Sequence, residues 1–160
     1  INLIFNTQFF PVVFGRESRD NFLLKKTKFY NEIMYINQHL PKTSKILVWV
    51  RDRYYLGRDY IPANPAEQGM INYGEYGRAE EFLLRLKELG ITHIMKPKQT
   101  TLEDIQNAPL YEKQFYRLQY EMEKKYLEPI YKKKSNFVEH RTLLREPQVV
   151  DVFIYKIKYP

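Results

Sequence analysis

A chain of 160 residues, 44% hydrophobic and 28% charged, carries enough apolar material for one compact domain around a single core. With a mean hydropathy of -0.57 and no apolar run near the roughly 20 residues a bilayer-crossing helix needs, the composition excludes a transmembrane helix within these bounds; the absence of cysteine excludes disulfides, a thiolate nucleophile and a zinc-thiolate site. Twenty-six Lys and Arg against 19 Asp and Glu give a net charge of +7, which favours phosphates of nucleic acid, anionic lipid or a phosphorylated substrate without choosing among them.

The chain opens on Ile1, and its first stretch, INLIFNTQFFPVVFG, is apolar and aromatic but lacks the basic residues that precede the apolar core of a secretory signal. It reads as a fragment with a cut edge. Between residues 18 and 40, Phe22, Phe29, Ile33, Ile36 and Leu40 fall on one helical face, with Ser18 as N-cap and Pro41 as the stop. KILVWV, continuously apolar from Ile46 to Val50, is expected to be the central strand, covered on both faces by helices. The following stretch to Gly77 is rich in Gly and Pro and reads mainly as loop, with a short strand at residues 59–61.

From Arg78 to Leu89 the pattern of Ala79, Phe82, Leu83 and Leu86 predicts a helix, with Glu80 and Glu81 in its first turn, Lys87 in its last and Gly90 just past its end. It leads into the apolar strand ITHIM, so that KILVWV, this helix and ITHIM make a right-handed crossover between parallel strands. A third helix is expected over residues 109–126, capped by Asn107, with Tyr111, Phe115, Leu118 and Met122 as its stripe. After the exposed run YKKKSN, the segments FVEHRTLL and VVDVFIYKI, joined by a REPQ turn, alternate as an antiparallel hairpin. The predicted fold is a single α/β domain: a mixed sheet with a parallel strand-helix-strand unit and a C-terminal antiparallel hairpin, helices packed on the sheet.

His39, His93 and His140 are far apart and form no metal-binding pair, and no Walker, Rossmann or nucleophile-elbow motif is present. No cofactor, metal site or catalytic constellation is therefore predicted. The acidic pairs Glu80/Glu81 and Glu103/Asp104 sit where helix starts favour negative charge. The cluster Arg51, Asp52, Arg53, Tyr54 and Tyr55 directly follows the central strand, and Lys96 and Lys98 leave the neighbouring strand at the same end. Ligands of open α/β sheets sit beyond the carboxyl ends of the strands, so these seven residues are the candidate ligand-binding set for a phosphate or carboxylate. The structural alternative is a polar loop in which Arg51 and Asp52 pair and the tyrosines pack. Lys132, Lys133 and Lys134 could meet nucleic acid or headgroups, but short lysine runs commonly form solvated loops, and no nucleic-acid recognition motif accompanies them.

Several segments in order, PVVFGRESRDNFL, YINQHLPKTSKILVWV, RDRYYLGRDYI, LLRLKELGITHIM and the terminal VDVFIYKI, resemble the C-terminal extracytoplasmic region of bacterial membrane glycosyltransferases of the GT-C type, the group of protein mannosyltransferases and aminoarabinose transferases. The resemblance covers most of residues 11–96 and returns at 150–157. It implies a parent protein in the cytoplasmic membrane that moves a sugar from a polyprenyl-phosphate donor on the extracytoplasmic, periplasmic side. In that family the catalytic carboxylate lies in the membrane part, so the resemblance assigns this chain an accessory role in acceptor access or assembly. Residues 1–14 would be a juxtamembrane segment, since aromatic residues favour that interface, and residues 15–160 the soluble α/β domain. The implied partners are the membrane part of the same polypeptide and, for the basic face of Arg51, Arg53, Lys96 and Lys98, anionic lipid or a lipid-phosphate-linked sugar. The rivals are a freestanding module binding a small anion or nucleotide through the same cluster, and a basic nucleic-acid binder using Lys132, Lys133 and Lys134.

Overall fold

The computed structural model describes residues 10–137 and 148–160. Its framework is a five-stranded mixed sheet. β1 (Lys45–Val48) runs parallel to β2 (Asp59–Pro62) on one side and to β3 (His93–Lys96) on the other. β4 (Leu127–Phe137) and β5 (Gln148–Ile157) form the antiparallel hairpin, with β5 against β3, giving the order β2-β1-β3-β5-β4.

Side chains alternate across a strand, and both faces of this sheet are covered. Leu47, Ile94, Phe153 and Tyr155 point to a core shared with α4 (Ala79–Glu88) and α6 (Leu110–Lys125), which contribute Phe82, Leu86, Leu118 and Met122. Ile46, Val48, Met95 and Ile154 point the other way, onto Phe29, Ile36 and Leu40 of the segment built on α3 (Tyr30–His39). The strands of the strand-helix-strand unit are thus parallel, as expected, and the short strand β2 lies parallel beside β1. Helix α4 starts at a capping box in which the Glu81 carboxylate accepts from the Arg78 N–H. It ends where Gly90, at φ +70°, lets the Ile91 N–H reach back to the Leu86 carbonyl.

The single helix expected over residues 18–40 is two. After the single turn α1 (Phe10–Val13), α2 (Arg19–Lys26) is capped by Ser18, whose hydroxyl accepts from the Asn21 N–H at 3.2 Å. The chain then leaves the helical region at Thr27, and Phe29 takes a left-handed conformation at φ +58°. Residues 25–28 are Lys-Lys-Thr-Lys, with no apolar side chain to hold that turn on the core, while Phe29 is buried where α3 begins. Leu23 is the buried residue of α2, in place of the expected Phe22.

The third helix runs where it was expected, as α6, but its cap is not the expected one. Thr101 caps a separate helix, α5 (Leu102–Asn107), through a capping box with Asp104. Asn107 closes this helix and is no cap for the next one. Ala108 is extended because a residue before proline is pushed out of the helical region, and Pro109 is extended after it, so the two helices do not merge.

The lysine run is a further correction. Lys132, Lys133 and Lys134 belong to β4 at the sheet edge, paired with Phe153, Val152 and Asp151. A charged edge strand resists pairing with other chains. β4 begins at Leu127, ahead of the predicted FVEHRTLL strand, which meets it only at Phe137; residues 138–147, with His140 and most of the predicted turn, lie outside the described residues.

Candidate functional site

Beyond the carboxyl ends of β1, β2 and β3 lies a cleft of about 730 Å³. Its position follows from the topology, since three parallel strands end together there and α6 crosses their ends. β1 delivers Trp49, whose N–H bonds the Met95 carbonyl at 2.9 Å and so continues the pairing past the strand's end. β2 leads into Ala63 and Asn64, and β3 delivers Lys96, Pro97 and Lys98. The facing wall is α6, through Phe115, Tyr116 and Gln119. Trp49 and Phe115 have ring centroids 6.3 Å apart, and Tyr73 packs edge-on to Phe115 at 4.7 Å. Tyr73 is fixed from behind by donating its hydroxyl to the Ala63 carbonyl at 2.8 Å.

The cleft floor is a buried ionic network. The Lys96 ammonium donates to the Glu123 carboxylate and, at 2.7 Å, to the Thr100 hydroxyl. Glu123 also accepts from the Thr100 hydroxyl at 2.8 Å and from the Thr100 N–H at 3.0 Å. The Lys96 and Glu123 side chains are only 5% and 8% exposed. Burial holds the Lys96 ammonium below its ordinary pKa, against the opposing pull of Glu123. The ammonium also lies 5.8 Å from the centre of the Trp49 ring.

The seven candidates divide into two groups. Lys96 and Lys98 line the cleft, and Lys98 is paired with Asp104 at 2.5 Å. The segment from Arg51 to Tyr55 lies outside the lining. Arg53 pairs with Glu67 at 2.7 Å and donates to the Val50 carbonyl, and Arg51 reaches the same carboxylate at 3.3 Å. The Arg53 hydrogen bond holds the Glu67 carboxyl below its ordinary range. Asp52 makes no ion pair among the described residues, so Arg51 pairs with Glu67 instead of with its neighbour. Tyr55 packs edge-on against Tyr30 at 5.5 Å, and Tyr54 is 91% exposed. The four cations of the candidate set therefore each have a carboxylate partner.

Sequence reading did not single out Trp49, Gln119, Glu67 or Glu123. Trp49 was within reach of the strand-end rule that selected its neighbours. Gln119 and Glu123 adjoin Leu118 and Met122 on α6, a sign that the helix buries more than its apolar stripe. The Gln119 side chain is buried and its amide nitrogen has no hydrogen-bond partner. His93 is buried, its ring nitrogen 2.8 Å from the Thr92 hydroxyl, and burial lowers its pKa. Among the described residues no group of three His, Asp or Glu side chains is placed to hold a metal ion, and no helix is long and apolar enough to cross a membrane. Comparison with protein families, curated proteins and solved structures finds no match to this chain.

Proposed function

We propose that this chain is the non-catalytic extracytoplasmic domain of a membrane glycosyltransferase that draws its sugar from a polyprenyl-phosphate donor, and that its first two helices rest on anionic headgroups. The observation that carries the reading is the surface of α1, α2 and the turn between them. Val13 and Phe14 are 72% and 71% exposed, and Phe10 and Leu24 are also bare. Arg16, Arg19 and Lys26 are exposed beside them, as is Lys25, which pairs with Glu17 at 2.5 Å. Exposed aromatic and aliphatic side chains among cations suit the boundary between headgroups and acyl chains, where apolar burial and attraction to anionic lipid add.

The resemblance of most of residues 11–96, and of 150–157, to the extracytoplasmic region of GT-C enzymes supplies the rest of the reading. The strand-end cations favour it over a freestanding anion-binding module, because Arg51, Arg53, Lys96 and Lys98 each have a carboxylate partner within the domain. In this reading the cleft handles the acceptor, and the lipid-facing role passes from those four cations to Arg16, Arg19 and Lys26.

Vesicle flotation tests the membrane contact. The chain should float with phosphatidylcholine vesicles containing phosphatidylglycerol, less so at high salt, and Phe10→Ser with Phe14→Ser should abolish flotation without lowering the melting temperature. Failure of the unaltered chain to float at low salt would remove the headgroup contact from the account.

A further inference from the structure

We infer that the strand-end cleft is a binding site for a neutral sugar ring, stacked on Trp49, Phe115 and Tyr116 and hydrogen-bonded by the Gln119 amide. The inference deepens the acceptor-handling role given to the cleft and rests on that reading only for its biological setting.

The walls and the charges each narrow the ligand. Trp49, Phe115 and Tyr116 are half-buried, so the cleft combines aromatic surface from the end of β1 with aromatic surface from α6. Such surface suits the C–H faces of a ring. A purely hydrocarbon ligand would leave the Gln119 amide nitrogen as it stands, a buried donor with no acceptor, which is a costly state for a polar group. An oxygen arriving beside Gln119 would satisfy it.

A phosphate or carboxylate fits less well. The two lysines of the lining are already neutralised, Lys96 by Glu123 and Lys98 by Asp104. Glu112, also in the lining, has no cationic partner among the described residues, so the cleft offers an anion no net attraction. A free carboxylate instead accepts hydroxyl donors. Apolar faces with hydroxyls around the rim are the chemistry of a neutral saccharide, and about 730 Å³ lies within the usual range for small-molecule sites.

Trp49 is the single tryptophan of the chain, so its fluorescence reports directly on the cleft. Methyl glycosides of neutral hexoses and pentoses should change its emission saturably, with a Kd of about 1 mM, the weak end for a small ligand with few hydrogen bonds. Inorganic phosphate and adenosine are the comparison probes. Gln119→Leu should weaken sugar binding about tenfold or more while keeping or raising the melting temperature, because it removes a buried unpartnered donor. Tyr116→Ala, at a half-exposed position, should also weaken binding and leave the fold intact.

The inference is overturned if no neutral sugar gives a saturable change at about 50 times that Kd, if phosphate or adenosine binds where sugars do not, or if Gln119→Leu binds sugar unchanged. Flotation on vesicles does not involve the cleft. A chain that floats but binds no sugar therefore loses this site alone, and one that binds sugar but does not float loses the headgroup contact alone.

Discussion

Replacing Glu123 with Gln should unfold the chain at a markedly lower temperature, because it strands the Lys96 ammonium inside the protein. The pair is 5% and 8% exposed, and Glu123 is the carboxylate that forms an ion pair with Lys96 among the described residues. Removing one partner of a buried ion pair costs about 3 to 5 kcal/mol. At about 2 to 4 °C per kcal/mol for a domain of this length, the melting temperature falls by about 6 to 20 °C.

The deficit should also depend on pH in a set direction. Burial already holds Lys96 below its ordinary pKa, and losing Glu123 removes the main influence opposing that shift. The unfolded chain then binds more protons than the folded one between the lowered value and the ordinary lysine value of about 10.4. Stability relative to the unaltered chain should therefore recover as pH rises through that window. Replacing both partners, Lys96→Met with Glu123→Leu, should restore most of the loss, since an apolar pair of similar size carries no desolvation cost. Thermal denaturation followed by circular dichroism from pH 7 to 10 measures all three variants. A loss below about 1 kcal/mol, the range of surface pairs, or a deficit unchanged by pH, would refute the description of a buried ionic floor.

Glu32 gives a second test of burial: it faces the sheet from α3, 1% exposed, one carboxylate oxygen has no partner, and desolvation raises its pKa. Its folded-state stability is full below the unfolded value of about 4.3 and is lost as pH rises through the folded value, so Glu32→Gln should raise the melting temperature at pH 7 and bring no gain at pH 3.5. Gly90→Ala should cost about 1 to 2 kcal/mol, or about 2 to 8 °C; a Cβ there meets nothing within 4 Å, so the penalty is conformational and Gly90→Asn should recover part of it. Lys132→Thr with Lys134→Thr should make the chain self-associate with rising concentration in sedimentation velocity, because β4 is an edge strand whose cations resist pairing; a variant that stays monomeric would remove that role from the run.

The fold was legible wherever periodicity and punctuation agreed. Helix α4 carries its apolar face, its acidic first turn and Gly90 in the sequence, and the apolar run from Ile46 to Val50 and the segment ITHIM mark β1 and β3. Residues 18–40 misled because Phe29, Ile33, Ile36 and Leu40 do share a face, so the spacing extends smoothly back to Phe22 across a break that only the polar Lys-Lys-Thr-Lys stretch betrays. β4 was hidden because an edge strand must be charged where its neighbours are apolar, and YKKKSN therefore imitates a loop.

The site was half legible. The strand-end rule found Lys96, Lys98 and the Arg51 to Tyr55 segment, since each follows a recognisable strand. It could not supply their partners, because Glu67 and Glu123 reach them from a loop and from α6 through tertiary packing. Those carboxylates change the chemistry of the place, from a cluster of free cations to paired charges, with Lys96 and Glu123 beneath the aromatic cleft. The aromatic opening was legible in composition, but the exposed apolar and basic surface of α1 and α2 was found only in the structure.

The central claim, a domain belonging to a membrane glycosyltransferase, is tested most directly by fractionating cells that naturally make this protein and probing the fractions with an antibody to the domain. The account predicts an antigen that sediments with membranes, requires detergent for release and migrates several times heavier than 19.5 kDa. A band near 19.5 kDa in the soluble fraction would contradict it.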